Sequence, residues 1–278
     1  MIRFRQKNFN TDLPNKTITY YWTRPTAAFD PDAVAFFNAT GITDATIKNA
    51  INTLVIDLKG YGIWAKLKAI YPFVGGTATT HKFNLKNPVD SDAAFRLVFS
   101  GGITHTSTGA LPNGINGWAE TYLANNLMAQ NDIHIAFYSR TNSAAANRVI
   151  IGSHSGSAQG TFIYPRTGTG NIFSRVNNSG FINVPNANSQ GLYIATKNPS
   201  TPTNIEVYRN TTQYLNTSAS ATNHIANTIQ LFRFGDFAGD YSDHECALSS
   251  IGDGLTPTES TNYYSTVQSF QTTLGRQV

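Results

Sequence analysis

Apolar residues recur along this chain with two different periods. Between residues 76 and 252 they fall in short, β-branched and aromatic runs: IHIAFYSR (133–140), RVIIGSH (148–154), GNIFSRV (170–176), GLYIATK (191–197), NIEVYRN (204–210) and TIQLFRFG (228–235). Clusters of Asn, Gly, Ser or Pro separate most of these runs, a pattern that predicts strands joined by turns. ECALSSIG (245–252) reads as one more buried strand. With no helical pattern between them, many short strands mean a sandwich or barrel. Two facing antiparallel sheets are expected, with Ile133, Ile135, Phe137, Ile150, Leu192, Ile194 and Phe232 as candidates for the core.

The helical period appears on either side. Residues 30–73 predict two helices. In DPDAVAFFNATG, Asp30 can cap, Pro31 suits the first helical position and Gly41 terminates. In the next segment Ile47, Ile51, Leu54, Val55 and Leu58 follow the i, i+3, i+4, i+7 rule, and Trp64, Leu67 and Tyr71 continue it past Gly60 and Gly62. Residues 256–275 predict a last helix, with Thr256 and Glu259 as a capping box, Pro257 at the first turn and Gly275 at the end. Its stripe of Tyr263, Val267, Phe270 and Leu274 needs a surface to cover it. The short connection GDGLTP favours docking within the same chain.

The opening MIRFRQKNFN is different again. Arg3, Arg5 and Lys7 alternate with Ile2 and Phe4, Phe9 follows, and no acid precedes Asp12. Alternation suits an extended strand added to a partner's sheet edge, with Ile2, Phe4 and Phe9 buried and the basic groups facing acids. A frayed terminus or an edge strand of the chain's own sandwich would give the same pattern. Residues 1–25 are therefore set apart as an arm, with ITYYWTR (18–24) a short extended segment stopped by Pro25. The remaining 26–278 form the folded module.

Composition narrows the function. Charged residues make up 13% of the 278, about half the usual share, so Asn, Thr, Ser and Gly must build the polar surface. The net charge of +4 suggests nucleic acid, but residues 1–100 hold 19 charged side chains and 101–200 only seven. No basic run interleaved with stacking aromatics tracks a phosphate backbone, which argues against nucleic acid as a partner. The single Cys246 excludes an intrachain disulfide and is expected to pack as a small apolar residue. No secretory leader and no membrane span are read from the chain, so synthesis in the cytosol is expected.

The search for chemistry returns little. A retaining glycosidase needs two carboxylates roughly 5 Å apart, and Glu120, Asp132 and Glu206 each stand alone in their segments. Only GDYSDHE offers closely spaced acids, Asp240, Asp243 and Glu245, of which Asp243 and Glu245 could share a strand face or the three could hold calcium. The plainer expectation is a solvated loop. The six histidines, at 81, 105, 134, 154, 224 and 244, have no metal-ligand spacing. GSHSGSAQG (152–160) is not a nucleophile elbow, and RTGTGN (166–171) opens no helix that could cradle a phosphate. No cofactor, metal or catalytic residue is assigned.

The stretch INTLVIDLKGYGIWAKLKAIYPFVGGTATTHKFNLKNPVDSDAAFRLVFSGG (51–102) resembles a recurrent module in structural proteins of tailed phages of Bacteroidetes, the crAss-like phages among them. ALPNGINGWAETYL (110–123), IHIAFYSRT (133–141) and the segment 245–278 resemble later blocks of that module, in the same order. The module is similar to concanavalin-A-like lectins and glucanases, close to laminin-G sandwiches. The resemblance implies a mainly β fold: a concanavalin-A-like antiparallel jelly-roll sandwich with an N-terminal helical segment and a C-terminal helix. It also implies a non-enzymatic virion component, a head or tail fibre or decoration subunit presenting its sandwich to host glycans. Other virion proteins would be its partners, and a homo-oligomer, trimers included, is expected. The glucanases' paired acids are missing, and no sugar-binding residue carries over. A secreted carbohydrate-binding module and a glycan-cleaving tail enzyme are the alternatives.

Overall fold

A computed structural model describes residues 28–145, 148–155, 160–177, 180–217, 225–235 and 239–278. The arm, with Ile2, Arg3, Phe4, Arg5, Lys7 and Phe9, lies outside the described residues, as does the strand expected at 18–24.

Two antiparallel sheets face one another. The first runs β13 (Thr212–Asn216), β12 (Ile205–Arg209), β11 (Gly191–Lys197), β6 (Ile133–Ser139), β15 (Cys246–Gly252), β4 (Gly109–Pro112) and β3 (Ile103–Thr106). An eighth strand, β1 (Leu67–Tyr71), pairs with the C-terminal part of β15. The second sheet runs β10 (Ile182–Pro185), β9 (Asn171–Val176), β8 (Gly160–Tyr164), β7 (Ile151–His154), β14 (Thr228–Leu231), β5 (Trp118–Ala124) and β2 (Val98–Ser100). Ile133, Ile135, Phe137, Ile150 and Phe232 fill the space between them and are fully buried, as expected. Cys246 lies there as a free, fully buried thiol.

A third layer covers the outer face of the eight-stranded sheet. It consists of α1 (Pro31–Thr40), α2 (Ala45–Gly60) and, after the short α3 (Ala78–His81) in the loops, the C-terminal α4 (Pro257–Thr273). Leu192 and Ile194 are buried as expected, but they point at these helices with Ala136, Tyr138 and Leu248 rather than into the sandwich. Sandwiched on both sides, β6, β11 and β15 have no exposed residue along their length. A strand buried on both faces loses the clean alternation of a half-solvated one.

The helix termini follow the sequence signals. The Asp30 side chain accepts from Asp32 N, Pro31 opens α1, and Gly41 closes it at φ 68°. Both halves of the Thr256–Glu259 capping box form. Tyr263, Val267 and Phe270 are buried against the sheet and α2, so the stripe of α4 is satisfied within the chain. One expectation fails. The helical period does not continue through Trp64, Leu67 and Tyr71: Gly62 turns at φ 74°, Ile63–Lys66 makes one 3-10 turn, and Leu67–Tyr71 is strand β1. Leu67 and Ile70 face the helices while Ala69 and Tyr71 enter the sandwich, with a register shift between Leu67 and Ala69. A bulged strand buried on both sides copies helical spacing. The sheet signal therefore begins at 67 rather than 76.

Candidate functional site

Among the described residues, one face of the molecule, the outer side of the seven-stranded sheet, carries no helical layer. The pairing register places its side chains in a row across the strands: Val98 opposite Glu120, Glu120 opposite Gln230, Gln230 opposite Gly152, Gly152 opposite Phe162 and Phe162 opposite Arg175. The alternate residues Ala119, Leu231, Ile163 and Val176 point inward to the core.

A bulge aims the acid in this row. Between Glu120 and Ala124, β5 has two more residues than β14 has between Gln230 and Thr228, and Tyr122 takes φ 57°. The displaced N–H groups of Thr121 and Tyr122 both donate to Glu120 Oε1, at 2.9 and 3.0 Å. The other oxygen, Oε2, accepts from Thr228 Oγ1 at 2.9 Å and Gln230 Nε2 at 2.8 Å. Gln230 in turn accepts from Arg233 Nε at 2.7 Å. The Arg233 guanidinium carbon sits 3.5 Å from the centre of the Trp118 ring, and Nη1 reaches the Tyr241 hydroxyl at 3.4 Å. Each planar side chain in the series Trp118–Arg233–Gln230–Glu120 is fixed by the next. Arg148 Nη1 clamps the rim by donating to Gly114 O at 2.6 Å and Tyr241 O at 2.8 Å.

Beyond Gly152 the face becomes aromatic. Phe162, Tyr164 and Phe234 form a small buried cluster joined by the half-buried Phe173. Tyr164 donates to Asp240 Oδ2 at 2.8 Å, and burial together with that carboxylate raises the phenol pKa. Gly152 has to be glycine, since a Cβ there would lie 2.4 Å from Phe162 Cβ and 2.6 Å from Thr161 O. At the opposite edge a cleft of about 350 Å³ adjoins Val98. Its cations are already matched, Lys82 and Arg96 both gripping Asp90 at 2.6 and 2.9 Å.

The acids singled out in the sequence go to separate places. Asp243 Oδ2 accepts from Ser143 Oγ at 2.7 Å, and His244 Nδ1 lies 3.1 Å from Oδ1. Burial would raise the Asp243 pKa, but the adjacent His244, the hydrogen bond from Ser143 and the Arg148 charge outweigh it and hold the carboxyl at about 2. Glu245 accepts from Arg140 Nη1 at 2.8 Å and Thr108 Oγ1 at 2.5 Å. Asp243 and Glu245 both precede β15, so they do not share a strand face, and both are half-buried rather than solvated. Among the described residues no three His, Cys, Asp or Glu side chains converge on a metal position. Asp132 caps Gly254 N at 2.6 Å. Glu206 is buried with the Tyr208 hydroxyl at 2.6 Å. The strands flanking 152–160 and 166–171 are antiparallel neighbours, β7 with β8 and β8 with β9.

No protein-family model matches the chain, and no curated protein sequence matches it. Solved structures do. A Trypanosoma rangeli sialidase mutant with trans-sialidase activity superposes at TM-score 0.51 and 9% identity, over 79% of this chain and 39% of that one. Domain 4 of the extracellular GH43 arabinanase AbnA from Geobacillus stearothermophilus, bound to arabinotriose, gives 0.49 and 13%, over 72% and 98%. The receptor-binding domain of botulinum neurotoxin D gives 0.42 and 12%, over 73% and 53%. The fold is an antiparallel two-sheet β-sandwich with an N-terminal helical segment and a C-terminal helix, as expected from the sequence. The helices form an added layer, and the chain spans well under half of the sialidase it resembles.

The sequence did not point to this face, because Glu120, Gln230 and Arg233 lie in distant segments. The available signal was the parity of TIQLFRFG, in which Ile229 and Leu231 point inward and leave Gln230 on the other side.

Proposed function

We propose that this chain is a non-enzymatic glycan-binding component of a phage virion, a fibre or decoration subunit that holds sugar on the open face of its seven-stranded sheet. The interlocked series Trp118–Arg233–Gln230–Glu120 carries the proposal. Sugar recognition needs an aromatic surface for the apolar C–H face of a pyranose and planar polar groups for its hydroxyls, all held still so that little entropy is lost on binding. The series supplies both on a single sheet face.

The absence of turnover is part of the proposal. Glycosidic cleavage calls for two cooperating carboxyl groups. Here Glu120 is occupied by four donors, and Asp240, Asp243 and Glu245 each bond to different partners. The virion assignment rests on the resemblance of 51–102, 110–123, 133–141 and 245–278 to the phage module, with the 1–25 arm as the anchor to capsid or tail and symmetry-related copies adding avidity.

Two experiments test the proposal. A soluble-glycan panel should give binding by the parent that Trp118→Ala abolishes at unchanged melting temperature; a panel with no binder refutes the glycan role. Mass spectrometry of purified virions should contain the chain, and truncation of residues 1–10 should leave a folded protein that no longer enters particles. Incorporation without the arm would remove it as the anchor.

A further inference from the structure

Resting on the glycan-binding proposal, we propose that the ligand is acidic, and that the Arg175 guanidinium receives a carboxylate or sulfate ester at the β9 end of the face. Arg175 stands opposite Phe162, in the same cross-strand row as Gln230 and Glu120. Other arginines in the fold are engaged: Arg140 with Glu245, Arg96 with Asp90 and Asp92, Arg233 with Gln230 and Trp118. Arg175 has no carboxylate or other polar side-chain partner among the described residues, only the Phe181 ring at 5.9 Å. Its Nε is buried and donates to nothing. Burial lowers its pKa with no carboxylate to offset the effect, so a bound anion would restore what desolvation removes.

The surroundings suit a sugar acid. Phe181, 45% exposed, places its ring centre 5.9 Å from the guanidinium carbon and 5.3 Å from the ring of Phe173. An exposed ring beside an unmatched guanidinium offers stacking and a planar donor fork to one residue of a chain. The face is also polarised. Glu120 lies on β5, four strand spacings from β9. At about 4.8 Å each, that separation is roughly 19 Å, beyond the screening length of about 8 Å at physiological salt. An anionic group at Arg175 therefore escapes repulsion from Glu120, and the neutral part of the glycan extends towards Gln230 and Trp118.

The test compares binding of polygalacturonate, its methyl ester and dextran sulfate to the parent, Arg175→Gln, Arg175→Lys and the control Arg166→Gln, each checked by thermal melting. The parent should prefer at least one anionic polymer over the methyl ester. Arg175→Gln should lose about ten- to a hundredfold of that preference and keep its neutral binding. Arg175→Lys should fall between them, and Arg166→Gln should match the parent. Preference for polygalacturonate identifies a carboxylate, and preference for dextran sulfate a sulfate ester. Equal binding of charged and neutral polymers overturns the inference and leaves the glycan reading standing. So does a preference that Arg175→Gln leaves intact, or that Arg166→Gln reduces equally. If neither these polymers nor any neutral glycan of the panel binds, both fall together.

Discussion

Lowering the pH from 7 to 5 should weaken this fold through a buried histidine that joins its layers. His134 in β6 is fully buried. Its Nδ1 lies 2.6 Å from the Asp253 carbonyl, which can only accept, so Nδ1 carries the proton. Nε2 must then accept from Ser250 Oγ at 3.1 Å, and Ser250 in turn accepts from the Tyr263 hydroxyl of α4 at 2.7 Å. Protonating Nε2 would reverse this chain. Burial outweighs the favourable Asp253 carbonyl and depresses the pKa from 6.5 to about 4. Between those values the unfolded chain binds a proton that the folded one refuses, so stability falls as pH falls. The slope is about 1.4 kcal/mol per pH unit, which accumulates to roughly 2 kcal/mol by pH 5. His81, lowered to about 3 by burial and then by His105 and Arg276, adds a loss of the same order in the same window. Asp243, held at about 2, begins to contribute only below the ordinary carboxylate range. Urea unfolding at pH 7, 6 and 5 measures the effect. His134→Gln should be less stable at pH 7, and its loss between pH 7 and 5 should shrink by the roughly 2 kcal/mol that His134 contributes. A variant with the parent's pH slope would refute the assignment to this relay.

Phe270→Ala should lower stability by about 3–5 kcal/mol, because the ring is 3% exposed within the helix–sheet layer. Sedimentation should show an unchanged oligomeric state, and a variant that dissociates but melts like the parent would contradict the intramolecular docking of α4. Arg276 is almost fully buried, and donates to Phe73 O at 2.8 Å, Pro72 O at 2.7 Å, Ala247 O at 2.9 Å and Gln271 Oε1 at 2.6 Å. Arg276→Ala removes the donor to Phe73 O, Pro72 O and Gln271 Oε1, and leaves Ala247 O only the long bond from Gln271 Nε2 at 3.4 Å. It also releases Phe73, held at φ 47°, for an expected loss of roughly 3 kcal/mol or more by chemical denaturation. A loss under 1 kcal/mol would mean that water replaces the guanidinium.

Legibility of the fold followed the physics of each element. GLYIATK became β11 with the same limits, and the Thr256–Glu259 box opens α4, because turn residues and caps are local signals. Strands such as Val98–Ser100, Ile103–Thr106 and Gly109–Pro112 passed unnoticed, being three or four residues long and rich in Gly, Ser and Thr, with partners that alone make them strands. Trp64, Leu67 and Tyr71 misled because a bulged, doubly buried strand imitates helical spacing. The candidate face was the least legible part. Glu120 looks isolated in WAETYLA, and only the sheet order β7–β14–β5 brings Gln230 and Arg233 beside it. Arg276, two residues before the last, gave no sign that four buried oxygens accept from it.

The proposed glycan-binding role of this face is tested most directly by the indole N–H resonances of a nitrogen-15-labelled protein titrated with a ligand from the glycan panel. The chain has three tryptophans. Trp64 is buried in the helical layer, on the far side of the eight-stranded sheet, and Trp22 lies outside the described residues. The account predicts that the Trp118 resonance shifts or broadens in step with binding while that of Trp64 stays in place. Saturable binding that leaves the Trp118 indole unmoved would contradict it.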